Sequence, residues 1–547
     1  MSAGTTTPVR PDDAAGAARF GFLNGFASLL RAEWIKFRSV RGWVIGMIVA
    51  VVVMEFMGLF LAQAHVGCQV SGGPAKSGAA CVQPMPLGPG GEAVNDQYYF
   101  VHQPLGSSGT LTVRLTSLTG WYGGNGGVPA APSNPLAGLQ RGLQPWSKAG
   151  IIITDSTKQG SAYAAIMSTG SHGVAMQYNY TSSVAGRPGA VGPASPRWLR
   201  LVRSGDAISG YDSADGAHWT LVGAAHLAGL ADTVQAGMFA TSPQHTQVTQ
   251  FVGHSQGQIS PSLATGVFDH VRLSGGSAGG GGAWTGDNVG SNQPFGPGST
   301  QAETFHQAGG RFTITGSGDI APVVNGMGSG PTASISQHLI GTFAGLIAVA
   351  VVAVMFMTAE YRRGLIRLTL AASPRRWRVL VAKAVVVGAV SFVAGLVAAV
   401  IAVPIGAHID HVNGLYVFQA SAATTARVLA GTGLLLAVMA VLALAIGSMV
   451  RRSAVAVTAV IVGIVVPYFL GVAQVLPTSA SEWLMRVTPA AGFSVQQSLV
   501  VYPQVTNSYT TPNGYYPLGP WGGFAVLCGW ALVAMAGAVY LLRRRDA

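Results

Sequence analysis

LIGTFAGLIAVAVVAVMFMT (Leu339–Thr358) holds twenty residues and no charge, and AEYRRGLIRLTLAASPRRWRVLVAK (Ala359–Lys383) follows at once with seven basic residues and one acid. A helix crossing ~30 Å of hydrocarbon needs about 20 apolar residues. The first stretch therefore reads as a membrane span, and the second as a loop held on one side. Five more stretches share its length and character: Trp43–Ala62, Ala384–Val403, Val428–Val450, Ala454–Val475 and Phe524–Leu542. Basic residues precede the first span (Arg31, Lys36, Arg38, Arg41), separate the fourth from the fifth (Arg451, Arg452) and follow the sixth (Arg543, Arg544, Arg545). Six crossings place these segments and the loop at 359–383 on one side. Together with residues 1–42 they carry 18 basic and five acidic residues. Positive charge collects on the cytoplasmic side of spans, so both termini are expected there and residues 65–336 are expected outside.

Composition agrees. Of 547 residues, 49% are hydrophobic and 9% charged, against roughly 25% charged in soluble domains. The net charge of +12 does not mark a nucleic-acid binder, because residues 65–336 hold eleven basic and eleven acidic residues and the surplus flanks the spans. Ala62-Gln63-Ala64 has the form of a signal cleavage site, but an apolar run of this length after some forty residues reads as a retained anchor. The division expected is a cytoplasmic segment at 1–42, a first span at 43–64, an extracellular domain at 65–336, and five spans within 337–547.

The 65–336 insert is rich in Gly, Ser, Thr and Pro and lacks helical periodicity. Short β-like runs, many of them alternating apolar and polar residues, predict strands at Thr110–Leu118, Ala149–Thr154, Tyr163–Ser168, Val174–Tyr180, Arg197–Arg203, Trp219–Val222, Val234–Phe239, Gln247–Val252 and Val267–Leu273. Asp215-Gly216 is a hairpin signal. The Gly-rich Ser274–Gly282 reads as a linker, and a further β piece follows at Arg311–Thr315 before the second span. The fold class is a six-span helical membrane protein with an inserted all-β sandwich. PWSKAGIIITDS (Pro145–Ser156), RWLRLVRSGDAISGYDSADGAHWTLVG (Arg197–Gly223) and VFDHVRL (Val267–Leu273) resemble the concanavalin A-like lectin/glucanase sandwich over about residues 100–275. That resemblance implies a carbohydrate as one ligand class for the domain. The paired carboxylates of a glycosidase are not evident, since Glu92 and Glu303 lie outside the matched stretches.

In the basic loop, Ser373-Pro374 supplies an N-cap and a first-turn proline, so a helix is expected to end near Ala372 and restart into the next span. Before the first span, Leu30, Trp34 and Phe37 fall at helical spacing among basic residues, the pattern of an interfacial helix. Glu-Tyr-Arg-Arg-Gly (360–364), Leu-Ala-Ala-Ser-Pro-Arg-Arg (370–376), Lys383 and Val-Thr-Pro-Ala-Ala-Gly (487–492) resemble type-2 ATP-binding-cassette exporter permeases. In that family the loop seats in a cleft of a separate ATPase. The resemblance implies an ATPase partner, a second permease copy or paralogue, and no directly bound cofactor, ATP being used by the partner. It makes Glu360, Arg363, Gly364, Arg367, Arg375 and Arg376 candidate coupling residues. The alternative is a membrane-anchored carbohydrate-binding or envelope-sensing protein, for which five spans after the domain have no use. The Gly- and Ala-rich composition resembles high-GC actinobacterial proteins, which implies a bacterial plasma membrane.

Other residues stand out singly. Glu55 is a lone acid inside the first span, costly at membrane depth. Pro467 predicts a kink in the fifth. Cys68 and Cys81 form a candidate disulfide in an oxidising exterior. Leu273–Ser277 imitates an ATPase signature loop, but the chain has no G-x-x-x-x-G-K-[ST] to cradle phosphate and is not expected to hydrolyse ATP itself. Gly253–Gly257 matches G-x-S-x-G without the strand–turn–helix context that motif needs. Asp206, Asp212 and Asp215 crowd one hairpin, as turn formers or as a cation site.

Overall fold

The computed structural model describes the whole chain except residues 1–25, 65–66, 69–75, 78–83, 124–138, 252–253, 276–282, 291–302, 327–331, 363, 365–375, 474, 507–508 and 546–547. Six helices are long and apolar enough to cross a membrane. After a helix α1 (26–39) they are α2 (Arg41–Ala64), α3 (Thr342–Arg362), α4 (Arg376–Val412), α5 (Ala422–Val450), α6 (Ser453–Val472) and, following the amphipathic α7 (Thr478–Val487), α8 (Pro520–Arg545).

All six predicted spans are present; α4 follows the restart expected at Ser373-Pro374 and extends past its predicted end at Val403. It runs 37 residues, starts at Arg376 just beyond Ser373-Pro374, and carries Pro404 internally. Small residues bring the helices together, as membrane packing requires in place of a hydrophobic drive. Gly341 and Gly345 of the α3 region lie against Met54 of α2, and Gly395 of α4 lies against Gly433 of α5. The expected irregularity at Pro467 takes the form of a π turn over Ile461–Val465. Proline has no N–H and its ring crowds the carbonyl four residues back, and a wider turn relieves both.

The insert is a sandwich of two antiparallel sheets. Its strands are β1 (Tyr98–Leu105), β2 (Ser108–Gly123), β3 (Lys148–Thr154), β4 (Tyr163–Thr169), β5 (Val174–Tyr178), β6 (Ser182–Ala185), β7 (Arg197–Ser204), β8 (Ala207–Ser213), β9 (Thr220–His226), β10 (Val234–Thr241), β11 (Ser262–Ser274), β12 (Thr285–Val289), β13 (Thr304–Ala308) and β14 (Arg311–Gly316). One sheet has the order β6-β5-β4-β3-β10-β1-β12 and the other β9-β8-β7-β2-β11-β14-β13, with Leu139–Arg141 beside β2. Leu111, Val113, Leu199 and Leu201 from one sheet meet Ile151, Ile153, Ala164 and Ile166 from the other in the shared core. A second layer, with Tyr98, Phe100, Ile152, Tyr163 and Phe239, lies on the far face of the first sheet under Val94 and Ile320.

The further β piece expected at 311–315 is β14, which pairs with β11 and belongs to the second sheet. Two expectations change. The Val174–Tyr180 strand stops at Tyr178, because Asn179 and Tyr180 take positive φ and turn the chain. Trp34 does not share a buried face with Leu30 and Phe37: it is 46% exposed, and Glu33 takes the inward place. At the predicted hairpin, Gly216 has φ 78° and sits where a Cβ would strike the Trp198 ring.

The sandwich rests on the helix-connecting loops. Asn325 donates from its side chain to the Asn513 carbonyl at 2.9 Å, and its backbone N–H donates to the Tyr515 hydroxyl at 3.2 Å. Gln419 donates to the Gly91 carbonyl at 3.0 Å, and Gln504 to the Thr181 carbonyl at 3.1 Å.

Candidate functional site: a buried charge network at the basic end

At the end of the bundle away from the sandwich, α1 crosses the ends of α3 and α4. Its inward stripe is Leu30, Glu33 and Phe37, while Arg31, Trp34, Ile35 and Arg38 face outward. Phe37, Trp43 and Phe356 form an edge-to-face cluster, with Phe356 5.5 Å from Phe37 and 5.0 Å from Trp43 between ring centres. This cluster fixes α1 against the start of α2 and the end of α3.

Beside the aromatics lie four charges. Lys383, near the start of α4, has no exposed side-chain surface and donates to Glu33 at 2.6 Å and to Glu360 at 2.7 Å. Its ammonium also lies 4.5 Å from the centre of the Phe356 ring, the geometry of a cation–π contact. Lys36 donates to the same two carboxylates, at 2.8 Å to Glu33 and 3.1 Å to Glu360. Two acids and two bases alternate, so the network is neutral while every member is charged. Partial burial pulls the Lys36 ammonium down, but its hydrogen bond and charge contact with Glu33, and then Glu360, leave it above its ordinary value. Burying an unpaired charge is prohibitive, and a paired, hydrogen-bonded set is tolerable.

The predicted coupling residues divide around this network. Glu360, expected in a loop facing a partner, is turned inward and 6% exposed. It positions α3 against α1 and α4. Gly364 ends α3 in the left-handed conformation (φ 66°), its N–H donating to the Tyr361 carbonyl at 3.3 Å, and it is exposed. Such a position favours glycine. Arg376 donates to the Leu542 carbonyl at 3.3 Å, tying α4 to the end of α8. Arg363, Arg367 and Arg375 lie outside the described residues. Glu33, the sole acid between Asp13 and Glu55, is the network member that sequence reasoning missed. An acid on the apolar stripe of a basic helix was its signal.

Elsewhere in the bundle, Gln496 bridges Thr342 and Thr432 at 3.0 Å each, and buried His338 lies 3.2 Å from Asp410. Glu55 is half-buried on α2, and among the described residues its carboxyl oxygens have no hydrogen-bond partner. Gly58, three residues on, sits against the His338 carbonyl. Cys68 belongs to a two-residue strand, but its side chain and Cys81 lie outside the described residues, as do Gly253 and much of the Ser274–Gly282 stretch. Ser255 sits on the strand His254–Ser260. Asp215 accepts from the Ala217 and His218 amides at 2.9 and 2.8 Å and acts as a turn former, while Asp206 accepts from the Gly229 amide at 3.0 Å and ties two loops together. Among the described residues no group of three His, Cys, Asp or Glu is placed to hold a metal ion.

The family model described as ABC-2 family transporter protein matches residues 222–547, more than half of the chain. No curated protein matches it. Among solved structures, the chain is similar to the glycoside hydrolase family 43 protein BlXynB from Bacillus licheniformis, at 17% identity over 24% of this chain and 24% of that one, with a TM-score of 0.17. A functionally unknown protein from Saccharomyces cerevisiae is similar at 15% identity over 38% of this chain and 91% of that one, with a TM-score of 0.20. Scytalido-glutamic peptidase is similar at 6% identity over 41% and 98%, with a TM-score of 0.23. Likenesses at such TM-scores say nothing about this chain's chemistry.

Proposed function

Because the chain belongs to the ABC-2 family of transporter proteins, a family of membrane permease subunits, we propose that it serves an ATP-driven exporter and docks a separate ATPase on residues 359–383. The observation that carries this reading is the network of Glu33, Lys36, Glu360 and Lys383. It joins α1 to the two helices that bracket the loop, α3 ending at Arg362 and α4 starting at Arg376. A displacement of the loop is then passed to α1, α3 and α4 together, since moving one helix alone would strand a buried charge. Hydrolysis in the partner becomes a concerted tilt of the bundle, with the π turn before Pro467 and Pro404 in α4 as points of yield.

In this reading the basic end and both termini face the cytoplasm of a bacterial cell, following the positive-inside bias. The sandwich stands outside and caps the loops at the far mouth. A second copy or a paralogue completes the pathway, and the cargo passes between them.

The test is affinity capture from native membranes of the wild type and of Arg375→Glu/Arg376→Glu. Capture of a nucleotide-binding ATPase by the wild type, lost on charge reversal, is the expected result. Capture of no ATPase by either form would overturn the reading.

A further inference from the structure

A groove of about 640 Å³ runs along the seam between α2 and α3 near the basic end. Trp43, Val49, Val352 and Met355 wall it. Val49 and Met355 are 46% and 43% exposed, so the groove opens sideways, where hydrocarbon chains lie around spanning helices. Gly42 lines it with nothing within 4 Å of where a Cβ would stand.

The head of the groove differs in kind. The helical path breaks at Val40, between α1 and α2. The Trp43 amide in the first turn of α2 is taken by the Val40 carbonyl at 3.0 Å, so the positive charge at this head is that of side chains. Arg38 and Arg41, both exposed, flank that turn. Arg41 stands one turn before Ile45, another lining residue. An electropositive head therefore sits on a groove whose described lining, from Val40 to Ala359, contains no charged residue. The complementary molecule has an anionic head and an apolar tail.

We propose that the groove binds one anionic glycerophospholipid, its phosphate held by Arg38 and Arg41, and one acyl chain lying between α2 and α3. The inference is independent of the transport reading and needs only that α2 and α3 span a bilayer. A zwitterionic lipid offers the same tails but brings its own ammonium toward two guanidiniums. The groove ends at Ala359, next to Glu360 of the charge network, so the lipid braces the elbow on which α1 is held.

The full chain is reconstituted in nanodiscs of phosphatidylcholine doped with phosphatidylglycerol, and the lipid retained after a detergent wash is counted by native mass spectrometry. The wild type is expected to keep about one phosphatidylglycerol per chain, and Arg38→Gln/Arg41→Gln to lose it roughly tenfold or more, since each basic residue near the headgroups adds about a fivefold preference for anionic lipid. Gly42→Leu fills the groove from a position with free space around it and is expected to lose the lipid as well. If Gly42→Leu fails to elute as a single species, the arginine variant decides alone, because it alters no packed side chain. Equal retention of both lipids by the wild type, or unchanged retention in the arginine variant, overturns the proposal. So does a disulfide between two copies through Ile45→Cys, which would assign the groove to a neighbouring permease.

Discussion

Among the described residues two lysines have no exposed side-chain surface, and their surroundings could hardly differ more. Lys148 lies on β3 under the linker to the second span, where it donates to Asp319 at 2.5 Å and to the Ile320 carbonyl at 2.7 Å. It has one acid, and the pair is closed. Lys383 in the bundle shares two acids with a second lysine, and that lysine is 40% exposed. The first arrangement ties a strand to a linker. The second leaves one member within reach of anything that touches α1.

Removing Lys148 should have the largest effect. Lys148→Met leaves Asp319 buried and unpaired, a loss of about 4–5 kcal/mol at the upper end for a broken buried pair. It should show as a lower unfolding temperature of the sandwich in the purified chain, largely restored by adding Asp319→Leu. Full stability in Lys148→Met alone would break the comparison. Lys383→Met should cost less, about 3 kcal/mol, because Lys36 still holds both carboxylates. Its sharper signature is functional, a larger fall in transport-coupled ATP hydrolysis than in thermal stability. Equal falls would make the network merely structural, like the sandwich pair.

Asp96 sharpens the same contrast through pH. It is buried beneath Tyr180, which donates to it at 2.8 Å. Burial pushes its carboxyl up to about 6, against the lowering effect of hydrogen bonds from Tyr180 and the Gly160 amide. The folded chain then holds a proton that the unfolded chain releases near pH 4. Stability therefore falls as pH rises from about 4 to 6, by up to about 3 kcal/mol. Asp96→Asn should flatten that slope in thermal melts of the sandwich. The smallest effect belongs to Gly364→Ala, about 1 kcal/mol for left-handed backbone at the end of α3. It should appear as faster amide exchange in the last turn of α3, with the charge network intact.

The helices were legible because membrane burial writes itself as long runs without charge, and their far ends were less so. α4 starts close to the restart that Ser373-Pro374 announces, but it continues past Pro404 to Val412; a proline that breaks a helix in water is tolerated where neighbouring helices hold it. In the sandwich, the run around Leu199 announced itself by alternation and the run around Ile151 by consecutive β-branched residues. β1, YYFVHQPL, did not, since both its faces are covered and it has a proline near its end. β8, AISGYDS, is short and polar and becomes a strand only between β7 and β9. The network was half visible. Glu360 and Lys383 lie in a stretch that charge patterning singles out, but Lys383 and Glu33 are 350 positions apart. No local pattern pairs residues at such a separation; only the folded bundle does.

The pairing of β14 with β11 also sets an order of assembly. β11 is complete at Ser274, but the neighbour that covers its edge, β14, begins at Arg311, about thirty residues before α3. Until that segment emerges, the growing chain presents a 13-residue strand with an unpaired edge, the kind of surface that recruits other strands. Closing the sandwich and delivering the second span are thus nearly one event in synthesis. A ribosome that stalls between residues 275 and 310 would leave a domain anchored by one helix and still open to the wrong partner.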